Sequence, residues 1–157
     1  MKKNNTEKTN KLIAKALSFK QNGDLINAEI ILKDVLKLDS NNFIALNNIG
    51  NIYSAQNELK KAKIFFSKAI NIKHNYSNAI FNLALVNEEM GNKEEAIKFY
   101  KDAIKYDQDN LGIYYNLSRI DDGFFLDNNI KKIKEILKKK INSNFSKSSG
   151  FFILVTN

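Results

Sequence analysis

Residues 43–76 read FIALNNIGNIYSAQNELKKAKIFFSKAINIKHNY. Apolar residues recur at helical spacing on both sides of a polar hinge at Gln56, Asn57 and Glu58, which predicts two successive amphipathic helices. The same pattern returns when the window is moved by its own length in either direction, to 9–42 and to 77–110. The stretch is therefore one unit of a repeat, and we predict an all-α fold.

A fixed order of small and bulky residues recurs in each unit. In 43–76 these residues are Ile49, Gly50, Tyr53, Ala62, Phe66 and Ala69. In 77–110 they are Leu83, Ala84, Ala96, Tyr100 and Ala103, and in 9–42 they are Ala16, Phe19, Gly23, Ala28, Leu32 and Val35. This order, recurring without insertion across three adjoining windows of equal length, resembles the tetratricopeptide repeat (TPR) family. The resemblance implies an α-solenoid of antiparallel helix pairs, with units at 9–42, 43–76 and 77–110.

The register also predicts where helices approach and where they end. Small residues stand where the two helices of a unit must lie close together, at Ala28, Ala62 and Ala96. Residues that tolerate positive φ stand at the turns between those helices, at Gly23, Asn57 and Gly91. We predict helices at about 9–22, 25–38, 43–56, 58–72, 77–90 and 93–106. Asp24 and Ser77 are expected to be N-caps, and residues 1–8 a disordered basic lead.

The repeat pattern weakens after residue 110. Asp122-Gly123 predicts a turn, and a helix is expected from about 128 to 141. Its apolar residues form one stripe, which consists of Ile130, Ile133, Ile136, Leu137 and Ile141. We interpret 111–141 as a divergent fourth unit, whose lysine-rich outer face caps the solenoid. The alternative is a basic amphipathic helix on an acidic membrane, although its apolar face lacks Trp and other aromatic residues.

The segment 142–157 combines a polar linker with five uncharged apolar residues, Phe151–Val155. Three hypotheses remain open: the apolar residues dock on the last helix pair, insert into a partner, or result from a shortened reading frame.

A second resemblance bears on the third hypothesis, the shortened reading frame. Residues 114–140 are similar to the segment after the repeats in bacterial fusions of TPR arrays with a sulfotransferase domain, through Leu117, Ser118, Ile120, Phe125, Ile130, Ile133 and Leu137. The enzyme implied is not in this chain, which has no Gly-rich strand–turn–helix phosphate loop.

Composition excludes several kinds of chemistry. The 157 residues include no cysteine, so disulfides and thiolate metal sites cannot form. His74 is the only histidine and falls at a predicted turn, so one chain cannot assemble a His-based metal site or catalytic pair. The adjacent carboxylates at 88–89 and 121–122 would point in different directions on a helix. We therefore predict no catalytic residue, no metal, no cofactor and no enzyme.

The net charge of +8 raises the question of an anionic partner. Arg119 is the only arginine, whereas phosphate and guanine recognition favour arginine, so a nucleic-acid partner is not expected. High Lys, Asn and Ile contents are typical of an AT-rich genome. The sequence shows no signal peptide and no apolar run of the ~18 residues that span a bilayer. We expect a cytoplasmic bacterial protein without a transmembrane segment and without membrane-surface contact.

Candidate binding residues follow the same period. Asn48, Asn82 and Asn116 are each separated by one unit length, so they should form a ladder on equivalent faces of the first helices. An amide side chain both donates and accepts, and can pair with the backbone of an extended peptide of any sequence. The flanking amides and expected apolar pockets are Asn47, Asn51, Phe81, Leu85 and Tyr115. The set is similar to the asparagine ladder of TPR proteins that grip unfolded peptide, including the array of the O-linked N-acetylglucosamine transferase. The alternative is that Asn is merely common here.

The resemblance implies a non-catalytic scaffold that binds an extended peptide or a helix of another protein in its concave groove. The alternative is a shortened or split adaptor arm of a sulfotransferase- or glycosyltransferase-type enzyme. The carboxylate clamp of chaperone-binding TPR domains is not expected, because the matching positions of the last three units carry no cation: Asn47, Asn51, Asn82, Gly112 and Asn116. We expect Asn82→Ala to weaken binding and to change stability by only about ±0.5 kcal/mol, as at a surface site.

Overall fold

The computed structural model describes residues 2–124 and 129–140. Within this part of the chain the bounded helices are α1 (Lys2–Gln21), α2 (Leu25–Leu38), α3 (Phe43–Ala55), α4 (Leu59–Ile72), α5 (Ser77–Glu89), α6 (Lys93–Tyr106) and α7 (Leu111–Ile120). Residues 129–140 are helical as well, and none of the described residues lies in a strand. The predicted all-α class is confirmed.

Successive helices pack as hairpins that stack on one another. Helix α1 packs on α2, α3 on α4 and α5 on α6, and contacts of α2 with α3, α4 with α5 and α6 with α7 join one hairpin to the next. Helix α3 also contacts α5 directly, so the first helices of neighbouring units share a face. The arrangement is the predicted α-solenoid. The bounds of α2 and α6 match the prediction, whereas α3, α4 and α5 are each one residue shorter at one end.

Each hairpin is closed by a small residue on its second helix and a bulky one four positions later. Ala28, Ala62 and Ala96 are fully buried, and so are the residues that follow them, Leu32, Phe66 and Tyr100. The approach of α3 to α4 is especially close at Gly50. A methyl group on residue 50 would lie 2.5 Å from the Cε1 atom of the Phe66 ring. Glycine is therefore what lets α3 lie against this ring.

The turns inside the hairpins follow the sequence prediction. Gly23, Asn57 and Gly91 have φ values of 80°, 60° and 79°. The carboxylate of Asp24 accepts a hydrogen bond from the Asn27 backbone N–H at 3.0 Å, so this predicted N-cap is confirmed. The cap predicted at Ser77 is wrong. Tyr76 occupies the N-cap position without a side-chain cap, and the Ser77 hydroxyl donates to the Ala103 carbonyl of α6 at 3.3 Å.

Helix α1 is longer than the sequence predicted. It begins at Lys2, so the disordered lead expected at 1–8 is corrected to helix for residues 2–8. Two local contacts support these first turns. Lys11 pairs with Glu7 at 2.7 Å, and the Thr9 hydroxyl donates to the Thr6 carbonyl at 2.9 Å. Both join residues three or four apart, the spacing that brings helical side chains together.

The fourth unit diverges but still closes the end of the core. Ile136 is buried with Phe124, Tyr114 and Leu117 in one hydrophobic cluster, and Ile133 packs against it. The rest of the predicted stripe does not turn inward: Ile130 and Leu137 are 38% and 44% exposed. Ile141 of that stripe, Phe125 of the second resemblance and the tail at 142–157 lie outside the described residues.

Candidate functional site

The eight residues predicted to line the groove come from α3, α5 and α7. Asn47 and Asn48 are 5% and 7% exposed, and Asn51, Phe81, Asn82, Leu85 and Asn116 are half-buried. Tyr115 is 66% exposed. The first helices of three successive units therefore supply this set, which we call the groove set: Asn47, Asn48, Asn51, Phe81, Asn82, Leu85, Tyr115 and Asn116.

Three members of the groove set form an amide cluster between α3 and α5. The Nδ2 group of Asn82 donates to Oδ1 of Asn47 at 3.0 Å and to Oδ1 of Asn51 at 2.9 Å. Asn82 on α5 thus donates both of its amide hydrogens to side chains of α3. The Oδ1 atom of Asn82 and the Nδ2 groups of Asn47 and Asn51 make no hydrogen bond within the described residues. Two donor groups and one acceptor of the cluster therefore have no hydrogen-bond partner among the described residues.

The other two members of the predicted ladder turn back onto their own helices. Asn48 Nδ2 donates to the Ile44 carbonyl at 2.9 Å, and Asn116 Nδ2 donates to the Gly112 carbonyl at 2.8 Å. A carbonyl four residues earlier is the nearest acceptor for a short polar side chain on a helix. The repeat period gave equivalent positions but not equivalent hydrogen bonds, so the amides do not form a continuous row.

A charged group that the sequence analysis missed lies at the α7 end of the groove set. Arg119 donates from Nη1 to Oδ1 of Asn116 at 3.2 Å, and its Nη2 pairs with Oε1 of Glu88 at 3.2 Å. Its guanidinium also lies 5.9 Å from the centre of the Tyr115 ring. Arg119 follows Leu85 by one unit length, so the repeat register could have placed it on this face.

Glu88 ties this end of the groove to the core. Its Oε2 atom accepts a hydrogen bond from the Tyr100 hydroxyl at 2.6 Å. Burial raises the pKa of Tyr100 above its usual value, and the bond to Glu88 raises it further. The Tyr100 ring in turn lies 5.8 Å from the ring of Phe81, between their centres. The position of Arg119 therefore depends on a chain of contacts through α5 and α6.

A second polar network was also missed and is structural. Asn87 is fully buried, donates to the Leu83 carbonyl at 2.8 Å, and accepts from Lys63 at 2.8 Å. Lys63 also pairs with Glu95 at 3.1 Å. This network joins α4, α5 and α6 away from the groove set. In the sequence, the signal for this network is Asn87, which occupies the repeat position that Tyr53 occupies in the preceding unit.

The residues considered for chemistry lie apart or are already paired. His74 is exposed in the turn between α4 and α5. Asp121 pairs with Lys101 at 2.8 Å, and this bond holds the pKa of the carboxyl below its usual value. In the part of the chain that the structure describes, no three His, Cys, Asp or Glu side chains are grouped to hold a metal ion. Of the described helices, none is long and apolar enough to cross a membrane.

Comparison with known proteins adds a family match. Residues 44–76 and 77–110 each match the family model described as tetratricopeptide repeat. The predicted second and third units are 43–76 and 77–110, so the first matched segment begins one residue later than its unit. No curated protein matches the sequence.

Solved structures share the architecture at low sequence identity. A crystal structure of MamA is 23% identical with a TM-score of 0.70, and the match covers 87% of this chain and 80% of that one. The first TPR of Spaghetti (RPAP3), bound to the HSP90 peptide SRMEEVD, is 18% identical with a TM-score of 0.70, covering 73% and 93%. A mutant of the Thermobaculum terrenum O-GlcNAc transferase is 19% identical with a TM-score of 0.69, covering 72% of this chain and 22% of that one. At these identities the likeness establishes the fold alone.

Proposed function

Because this chain is a tetratricopeptide-repeat protein, we propose that it works as a non-catalytic scaffold that binds an extended peptide or a helix of a partner protein. The groove set is the proposed binding surface. The observation that carries the proposal is the amide cluster, in which Asn82 joins Asn47 and Asn51 across α3 and α5. Amides held in place before binding lose little conformational freedom when a ligand arrives.

The chemistry around the cluster suits a polypeptide backbone. Two amide donor groups and one acceptor match the carbonyl and N–H groups that an extended peptide presents on one side. The half-buried side chains of Phe81 and Leu85 lie on the same helix as Asn82 and would contact apolar side chains of the ligand. RPAP3, whose TPR structure holds an HSP90 peptide, shares this fold and supports the proposal by analogy.

The hydrogen bonds of Asn82 raise the loss of unfolding free energy that we expect from Asn82→Ala. Because its amide makes two hydrogen bonds across the helix pair, Asn82→Ala should cost about 1–2 kcal/mol of unfolding free energy rather than the surface value of about ±0.5 kcal/mol. Asn51 accepts one of these bonds and donates none within the described residues. Asn51→Ala is therefore the gentler test of binding.

The experiment selects peptides from a random library on the wild-type protein and measures their Kd by fluorescence anisotropy. We expect Asn51→Ala to raise the Kd of the selected peptides about tenfold, the equivalent of one hydrogen bond to a preorganised amide. Asn71→Ala, an exposed asparagine on α4, is the matched control and should leave the Kd unchanged.

Two outcomes would contradict the proposal. One is that no peptide is selected although the protein is folded by circular dichroism. The other is that the selected peptides bind Asn51→Ala, Asn82→Ala and Phe81→Ala as tightly as wild type, which would place their site elsewhere. The proposal is supported if Asn71→Ala binds the selected peptides like wild type and the groove variants bind them more weakly.

A further inference from the structure

The positive charge of this protein is concentrated in one helical stretch. Residues 129–140 contain six lysines and one glutamate, a net charge of +5 out of the +8 of the whole chain. The lysines of this stretch are Lys131, Lys132, Lys134, Lys138, Lys139 and Lys140. All except Lys132 are exposed, and Lys132 is half-buried.

Within the described residues none of these lysines has an acidic partner, whereas most lysines of α2, α4 and α6 have one. On α2, α4 and α6, many lysines pair with carboxylates, as Lys33 does with Glu29 at 2.8 Å and Lys105 does with Asp102 at 2.6 Å. No lysine of 129–140 makes an ion pair within the described residues. In the part of the chain that the structure describes, their charge is therefore not paired with a carboxylate.

Two apolar side chains lie beside these lysines at the surface. Ile130 and Leu137, seven residues apart, are 38% and 44% exposed, while Ile136 is buried against the solenoid. Helical spacing places Lys134 next to Ile130 and Leu137 on the helix surface. It places Lys131 and Lys138 on the side of the helix opposite the buried Ile136. The outer surface of 129–140 thus has an apolar edge beside a cationic face, which we call the basic face.

We propose that the basic face binds the surface of an anionic lipid bilayer. Apolar side chains at the edge of a cationic helix enter the boundary between headgroups and acyl chains, while the lysine ammonium groups stay at the phosphates. The sequence argument against membrane contact rested on the lack of Trp and other aromatic residues on the apolar face of this helix. The exposure of Ile130 and Leu137 adds an observation that the sequence did not provide, because apolar side chains of this helix lie at the surface beside the lysines.

The same observations favour a bilayer over a nucleic acid. Nucleic acid offers phosphates but gives no benefit to exposed isoleucine and leucine side chains at its backbone. The basic face also contains no arginine, the residue that recognises phosphate and bases with two parallel hydrogen bonds. A surface of lysine point charges with an apolar edge fits diffuse headgroup charge better.

The test is co-sedimentation of the full chain with vesicles of phosphatidylcholine containing phosphatidylserine, compared with phosphatidylcholine alone. We expect binding only to the anionic vesicles and a steep decrease with added salt. The triple variant Lys131→Gln, Lys134→Gln, Lys138→Gln should lose roughly a hundredfold in affinity, about fivefold for each lysine. A matched variant with Lys8, Lys60 and Lys98 changed to Gln removes the same charge from exposed sites elsewhere and should bind like wild type.

Further variants separate the bilayer from other anionic partners. Ile130→Ser with Leu137→Ser should weaken vesicle binding about tenfold but leave binding to heparin, a soluble polyanion, unchanged. Phe151→Ser with Phe152→Ser tests whether the apolar segment of the tail carries the binding instead. All changed helix positions are exposed or partly exposed, and circular dichroism melting checks that each variant remains folded.

Several results would overturn the proposal. These are no binding to anionic vesicles at low salt, equal losses in the two triple lysine variants, or loss only in the tail variant. Unchanged vesicle binding after removal of Ile130 and Leu137 would mean that the surface attracts any polyanion, and would likewise overturn it.

Discussion

The hairpins α3–α4 and α5–α6 hold the same register by different chemistry. In the first, Gly50 faces the ring of Phe66, and in the second the equivalent positions hold Ala84 and Tyr100. The Phe66 ring packs in an apolar cluster, whereas the Tyr100 hydroxyl bonds to Glu88 at 2.6 Å. The repeat therefore constrains how the side chains at paired positions fit together, rather than the identity of each residue alone. Three substitutions test this.

Phe66→Ala should have the largest effect. The side chain is 1% exposed and fills the space that glycine leaves at residue 50, so its removal leaves a cavity beside a position with no side chain. We expect a loss of about 3–5 kcal/mol of unfolding free energy, measured by urea denaturation. Ile64→Ala on the same helix is the control, because Ile64 is 53% exposed and should change stability by less than about 0.5 kcal/mol. A loss equal to that of the control would mean that the core closes over the cavity.

Gly50→Ala should have an intermediate effect. The added methyl group would meet the Phe66 ring at 2.5 Å, and this overpacking outweighs the gain in helix propensity, for a net loss of about 1–2 kcal/mol. Combining it with Phe66→Leu should recover part of that loss, because the smaller side chain makes room. A double-mutant cycle measures this coupling. Additive effects of the two substitutions would show that the ring and residue 50 do not constrain each other.

Tyr100→Phe should have the smallest effect at neutral pH, about 1 kcal/mol for one hydrogen bond to a carboxylate that keeps its pairing with Arg119. The effect depends on pH. Because the pKa of Tyr100 is raised in the folded state, its contribution is present below the unfolded tyrosine pKa of about 10 and is lost as pH rises above that value. Stability of the wild type should thus fall more steeply between neutral and alkaline pH than stability of Tyr100→Phe.

Denaturation curves at neutral pH and above pH ~10 would measure this difference. Tyr106→Phe is the control, because it removes a tyrosine hydroxyl from a side chain that is 53% exposed. Parallel profiles for wild type and Tyr100→Phe would show that the buried hydroxyl is not coupled to folding.

Features that recur once in every unit were predictable from sequence, because local backbone geometry determines them. The turns at Gly23, Asn57 and Gly91 need positive φ, and residues that tolerate it recur there. The helix bounds followed to within one residue for α2 through α6, which lie between such turns. The start of α1 was missed because residues 2–8 lie outside the repeat register, which begins at residue 9.

Hydrogen-bond partners were not predictable from the period. Asn48 and Asn82 occupy equivalent positions, yet one bonds to its own helix and the other to α3, because the neighbouring side chains offer different acceptors. Ser77 looked like a cap, but its hydroxyl donates to α6 instead. Such choices depend on side-chain geometry between helices that no single stretch of sequence contains. The groove set therefore remains a prediction whose members the structure locates.

The contact between Asn82 and Asn47 has a consequence for how the chain folds. It joins residues 35 apart, little more than one unit of sequence, although it bridges two hairpins. Chains whose contacts span short sequence separations close small loops and fold quickly, on the microsecond to millisecond scale for helical proteins. Folding of this array can therefore start at any hairpin with a complete core and spread to its neighbours. Folding should be followed by pulsed hydrogen-exchange labelling after rapid mixing. We expect the hairpins α3–α4 and α5–α6 to become protected from exchange before the divergent end at 129–140.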